Sequence, residues 1–163
     1  MSTGPRDPAL AAMLRATVRV GNGSGVIVRS GTHAVVATAY HVVEEAGPHR
    51  LRWPGGGFAD ASVINQDETS DVAILGCPPQ LEGAAIPVVG PEGDAAIGDE
   101  VWATGFPRGW KGESPVLARG AIAGVGEQNW VNLDGTWGNS GGPLCRQSSG
   151  AVDRRRDSPG QCQ

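Results

Sequence analysis

The chain has little positive charge to spare. It carries 13 Lys and Arg against 17 Asp and Glu, a net charge of −4 and a pI near 5.3. Binding to nucleic acid or to an anionic membrane needs a basic patch, so neither is expected as a partner. No apolar run is long enough to cross a bilayer. Cysteine is scarce. Cys77, Cys145 and Cys162 are odd in number and far apart, which matches neither a disulfide framework nor zinc-ligand spacing. His33, His41 and His49 lie eight apart and put no pair on one helical face, so no metal and no cofactor are expected. The stretch 1–8 contains Arg6 and Asp7 but no apolar core of a secretory signal, which predicts a cytoplasmic location. Lysine is almost absent: Lys111 stands alone among twelve Arg, as expected of a GC-rich coding sequence.

Glycine and proline are abundant, with 26 Gly and 12 Pro in 163 residues. Long helices tolerate this badly, whereas short strands joined by turns use it well. The length fits one domain or two small lobes sharing a cleft. A single helix is predicted at Asp7–Leu14, with Asp7 as N-cap and Pro8 in the first turn, and one further turn after His41. Apolar alternation predicts strands at 16–20, 26–28, 33–39, 51–53, 61–64 and 71–75. The run 33–39 reads as buried on both faces. A second set at 85–89, 101–104, 116–125 and 130–133 follows a Pro/Gly-rich joint at 76–83. Strands at this spacing indicate an antiparallel barrel or sandwich. The stretch 145–163 has four Arg, one Val and no Leu, Ile, Phe or Trp, and reads as a disordered end unable to supply a core strand.

Chemistry concentrates in Gly138-Asn139-Ser140-Gly141-Gly142-Pro143-Leu144. A serine hydroxyl needs a base to take its proton and donors for the oxyanion that forms on the attacked carbonyl. Small neighbours let the backbone fold tightly around Ser140 and let substrate approach. Histidine is the side chain that exchanges a proton near neutral pH. His41 follows the run 33–39 in Thr38-Ala39-Tyr40-His41, a position that can aim a ring into a cleft. Taken alone, it would be an ordinary partly buried histidine, as His33 and His49 are read. Asp71 opens Asp71-Val72-Ala73-Ile74-Leu75, whose apolar residues would tuck it inward. An Asp at the lip of a core strand invites a partner, although alone it would read as a turn residue.

The chain order His41, Asp71, Ser140 is that of the chymotrypsin type. With GSGVIV (23–28), VVATAYHVV (35–43), SDVAIL (70–75), GDEVWATGFPRG (98–109) and GNSGGPL (138–144), residues 12–144 resemble trypsin-like, chymotrypsin-fold serine proteases. The likeness is to their bacterial, disulfide-free form related to the Deg heat-stress proteases. The resemblance implies an all-β fold of two antiparallel barrels, the first over 12–78 after an extension at 1–11, the second over 79–144. It implies a serine endopeptidase acting on protein or peptide substrates without a cofactor. On that resemblance His41, Asp71 and Ser140 would form the triad, and the N–H groups of Gly138 and Ser140 the oxyanion hole. The alternative is a non-catalytic relative that binds peptides. Gly21-Asn22-Gly23-Ser24-Gly25 hints at a nucleotide loop, but no βαβ unit surrounds it.

Three departures from the family pattern stand out. Asn139 replaces the aspartate that pairs with a new N-terminus in digestive relatives, so activation by that route is not expected. Asp134, six residues before Ser140, is either a specificity-pocket carboxylate or a structural loop residue, and the second reading is favoured. The family also needs a closing strand after GNSGGPL, where this chain turns Arg-rich. Read one base out of frame, residues 152–159 can spell Leu-Ile-Gly-Val-Val-Thr-Ala. The sequence therefore predicts an incomplete second barrel and a truncated or frameshifted C-terminus.

Overall fold

A computed structural model of the chain describes residues 7–87, 96–126, 130–133, 141–146 and 161–162. It opens with helix α1, Pro8–Arg15. The Asp7 side chain accepts a hydrogen bond from the Ala9 N–H at 2.8 Å and Pro8 occupies the first turn, so the predicted cap is the observed one. The end of the helix packs inward: Met13 and the following Ala16 are fully buried.

The first sheet contains β1 (Thr17–Val20), β2 (Gly23–Ser30), β3 (His33–Thr38), β4 (His49–Trp53), β5 (Gly57–Ala61), β6 (Val63–Asp67), β7 (Val72–Gly76) and the short β8 (Ile86–Pro87). Seven run β5-β4-β1-β2-β3-β7-β6, antiparallel throughout, and β8 adds to β2 in parallel. Period-two alternation turns Val18, Val20, Ile27, Val36, Leu51 and Leu75 into one fully buried core. The second sheet orders β11 (Trp130–Leu133), β10 (Val116–Gly124), β9 (Glu100–Gly105), β12 (Leu144–Arg146) and β13 (Gln161–Cys162). Its core is thinner, built on Val101, Phe106, Ala118 and Ile122. The molecule is thus all-β, with one well-developed sheet and one partial one.

Several local expectations are corrected. The strand expected at 61–64 is the corner between β5 and β6, because Ser62 breaks the ladder and its carbonyl accepts from the Gly76 N–H at 3.1 Å. The stretch expected to open the second set instead supplies β8 to the first sheet. A 3₁₀ turn at Pro79–Ala84 buries Leu81 in the first core and carries the chain back there. The run 33–39 is buried on alternating residues, with His33 exposed. The stretch read as a disordered end supplies backbone pairing: β12 bonds to β9, and β13 to β12. Cys145 is buried and disulfide-bonded, a bond that the spacing of the three cysteines did not announce. Residues 147–160 lie outside the described residues.

The two sheets meet along buried hydroxyls. Thr17 Oγ1 lies 2.6 Å from Thr104 Oγ1 and also donates to the Met13 carbonyl. Ser24 Oγ accepts from the Phe106 N–H at 2.8 Å. All three hydroxyl residues are fully buried, and each has a partner, as burial of polar groups requires.

Candidate active site

His41 sits in a single 3₁₀ turn, Tyr40–Val42, directly after β3. The turn was expected after His41; it includes it. Ala39 is still extended, and the turn is closed by Val42 N–H to the Ala39 carbonyl and Val43 N–H to the Tyr40 carbonyl. Val43 is buried and anchors the far side. The ring is therefore presented at the end of a core strand by a short, tightly bonded segment.

Asp71 lies one residue before β7 and takes a left-handed backbone conformation, φ 55°. Aspartate tolerates this region better than most residues. The turn before it is built by Asp67, whose carboxylate accepts from the Thr69 N–H and the Ser70 hydroxyl. Those bonds, the hydroxyl's above all, hold the Asp67 carboxyl below its ordinary range. The reversal turns the Asp71 side chain toward His41, and its carbonyl accepts from the Tyr40 N–H at 3.1 Å.

Two hydrogen bonds join the pair. The backbone N–H of His41 donates to Asp71 Oδ1 at 2.9 Å, and His41 Nδ1 lies 2.7 Å from Oδ2. The first is the largest cause of a lowered Asp71 pKa; burial opposes it, and the ring adds to it. An ionised carboxylate can only accept, so Nδ1 carries the proton and Nε2 is left as the basic nitrogen. The carboxylate is not tucked inward as expected: its side chain is 49% exposed, because β7 begins only at Val72 and leaves Asp71 in the turn.

Ser140, Gly138, Asn139 and Asp134 lie outside the described residues. Their neighbour Gly141 does not. It has φ 84°, and a Cβ there would come within 2.1 Å of the Ser24 carbonyl oxygen and 2.5 Å of Thr38 Oγ1. Thr38 Oγ1 itself donates to that carbonyl. Only glycine fits a left-handed residue pressed against another backbone. The residue after Ser140 therefore rests on the strand end that leads into the His41 turn. Pro143 bonds instead to the second sheet, its carbonyl accepting from the N–H of Thr104 on β9 at 3.2 Å.

A cleft of about 560 Å³ opens beside His41, lined among others by Asn22, Glu44, Glu45, His49 and Arg108. None was singled out in the sequence for this role, and His49 had been read as ordinary. They come together because the Gly21–Asn22 turn joining β1 to β2 and the loop after β9 both face the His41 turn, a proximity with no local sequence signal.

The family model described as a trypsin-like peptidase domain matches residues 23–152. The chain belongs to that family. As a trypsin-like peptidase domain it is 33% identical over 146 residues to Protease Do-like 1, chloroplastic, of Arabidopsis thaliana, covering 81% of this chain and 32% of that protein. It is 32% identical over 133 residues to the periplasmic pH-dependent serine endoprotease DegQ of Escherichia coli K12, covering 76% of this chain and 28% of that one. The crystal structure of the serine endoprotease from Yersinia pestis superimposes with a TM-score of 0.70 at 26% identity, over 90% of this chain and 55% of that one. The peptidase domain thus spans about a third of the length of the curated relatives it matches. The match reaches past residue 144, where the expected resemblance stopped, and starts at Gly23 rather than residue 12.

Proposed function

We propose that this chain is the protease domain of a serine endopeptidase and cleaves peptide bonds through His41, Asp71 and Ser140. The observation that carries the reading is the doubly hydrogen-bonded His41–Asp71 pair, with Gly141 docked against the end of β3, three residues before His41. In the proposed reaction the Ser140 hydroxyl oxygen attacks the substrate carbonyl carbon while His41 Nε2 takes the hydroxyl proton. The backbone N–H groups of Gly138 and Ser140 bind the oxyanion. Collapse breaks the C–N bond, and the leaving amine takes the proton from His41. Water then adds to the acyl-enzyme by the same base and releases the acid. Asp71 keeps the Nδ1 tautomer and aims the ring throughout. Protein or peptide substrates follow from the family.

A fluorophosphonate probe tests this directly. Labelling is expected in the wild-type chain and lost in Ser140→Ala and in His41→Ala; labelling that survives Ser140→Ala overturns the assignment. The cytoplasmic expectation faces two opposing observations, the Cys145 disulfide and relatives named as chloroplastic and periplasmic. Cell fractionation tests it, and recovery of the chain outside the cytoplasm rejects it.

A further inference from the structure

A second cavity, of about 360 Å³, lies between the β4–β5 hairpin and the loop after β9, and shares no lining residue with the His41 cleft. Arg19 on β1 and Arg52 on β4 are register partners there. Like charges directly opposite one another on antiparallel strands repel. The neighbouring ladder shows the usual remedy: Arg50 on β4 faces Asp60 on β5 and pairs with it at 3.0 Å. Arg52 has no such partner among the described residues. Lys111 adds a third cation to the lining, and Glu113 is its one carboxylate, in no ion pair with them. Arg19 is held in place, while Arg52 stands exposed opposite it. Arg19 donates to the Trp110 carbonyl at 2.9 Å and lies 4.8 Å above the Phe106 ring. Among the described residues its guanidinium makes no other hydrogen bond or ion pair.

The walls are aromatic. The Trp53 indole lies over Gly57, where a Cβ would meet it at 2.1 Å, and the Trp110 indole over Gly112, at 2.3 Å. Trp110 is pinned further by its Nε1–H, which donates to the Ser114 carbonyl at 2.8 Å. A pair of guanidiniums in no ion pair among the described residues, floored by Phe106 and flanked by two indoles, suits a carboxylate attached to an apolar body.

We infer that this cleft binds a peptide carboxylate, with the Arg19–Arg52 pair clamping the anion and the adjoining apolar side chain packed against Trp53 and Trp110. The choice of a peptide over other anions rests on the proposed peptidase reading, since every hydrolysis would release a new C-terminal carboxylate.

Tryptophan fluorescence of the full chain carrying Ser140→Ala, which consumes no peptide, reads the binding. The probes are acetyl-Ala-Ala-Leu with a free C-terminus, acetyl-Ala-Leu-Glu-amide, acetyl-Ala-Ala-Leu-amide and inorganic phosphate. A saturable change is expected with either of the first two, which separates a terminal from a side-chain carboxylate, and none with the amide. Arg52→Ala is expected to raise Kd at least tenfold. Arg52→Glu, which places a carboxylate opposite Arg19, is expected to abolish binding while the melting temperature holds or rises. No saturation by about 10 mM, a Kd unmoved by Arg52→Ala, or phosphate binding as tightly as the peptides overturns the inference. Fluorophosphonate labelling of the wild-type chain reports separately on Ser140, so failure of the cleft and failure of the peptidase reading are distinguishable.

Discussion

At the scale of the residue, Asp71 has the most to say. Its carboxyl is held below the ordinary range chiefly by the His41 backbone N–H. A folded-state pKa below the unfolded value of about 3.9 stabilises the fold above that value, and the contribution is lost as pH falls through the lowered one. Asp71→Asn should therefore flatten the acid limb of stability measured by urea unfolding between pH 7 and pH 3. In an active chain the same change should cut kcat by about 10⁴-fold, because an amide no longer enforces the Nδ1–H tautomer; kinetics within tenfold of wild type would remove Asp71 from the triad. Gly141 makes the companion case. Gly141→Ala adds an atom where the Ser24 carbonyl already stands, at a left-handed φ that costs about 1–3 kcal/mol for such a residue. Both a lower melting temperature and loss of fluorophosphonate labelling are expected. The glycine motif was visible in the sequence. The left-handed turn that aims Asp71 was not, since aspartate adopts many turn conformations and the choice is made by bonds to Tyr40 and His41.

At the scale of the element, the sequence was most readable where local rules act alone. Asp7 and Pro8 announce α1, and removing the cap tests the reading: Asp7→Ala should cost about 0.5–2 kcal/mol by denaturant unfolding, with a smaller loss if the helix is held mainly by buried Met13. Alternation located β1, β7, β9 and β10 to within a residue or two. It failed at 61–64, where an apolar run straddles a corner, because Ala61 and Val63 belong to strands at opposite ends of the sheet order. It failed again at Leu144–Arg146. Cys145 and Arg146 open the stretch read as a disordered end, and their pairing comes from β9.

At the scale of the whole molecule, catalysis as proposed depends on two sheets held in register by few contacts. Thr17 and Thr104 are 87 positions apart and meet hydroxyl to hydroxyl in a dry seam. Thr17→Val leaves the Thr104 hydroxyl and the Met13 carbonyl short of a partner, a cost of about 1–3 kcal/mol. Adding Thr104→Val should recover part of it, and a double-mutant cycle on unfolding free energies measures the coupling. Strict additivity would show the seam to be incidental. The same seam carries Ser24, whose hydroxyl holds Phe106 just past β9 while its carbonyl meets Gly141 beside the His41 turn.

By itself the sequence determined the all-β class, the helix cap, most strand positions and the ordered motifs around His41, Asp71 and Ser140. These follow from side-chain periodicity, turn chemistry and the needs of a nucleophile, all of which act over a few neighbouring residues. Tertiary structure alone decided that Asp71 bonds to His41 twice, that Gly141 seats on the end of β3, and that Arg19 faces Arg52 across the ladder. Each joins residues remote along the chain, and such contacts are set by strand register and packing, which no local pattern encodes.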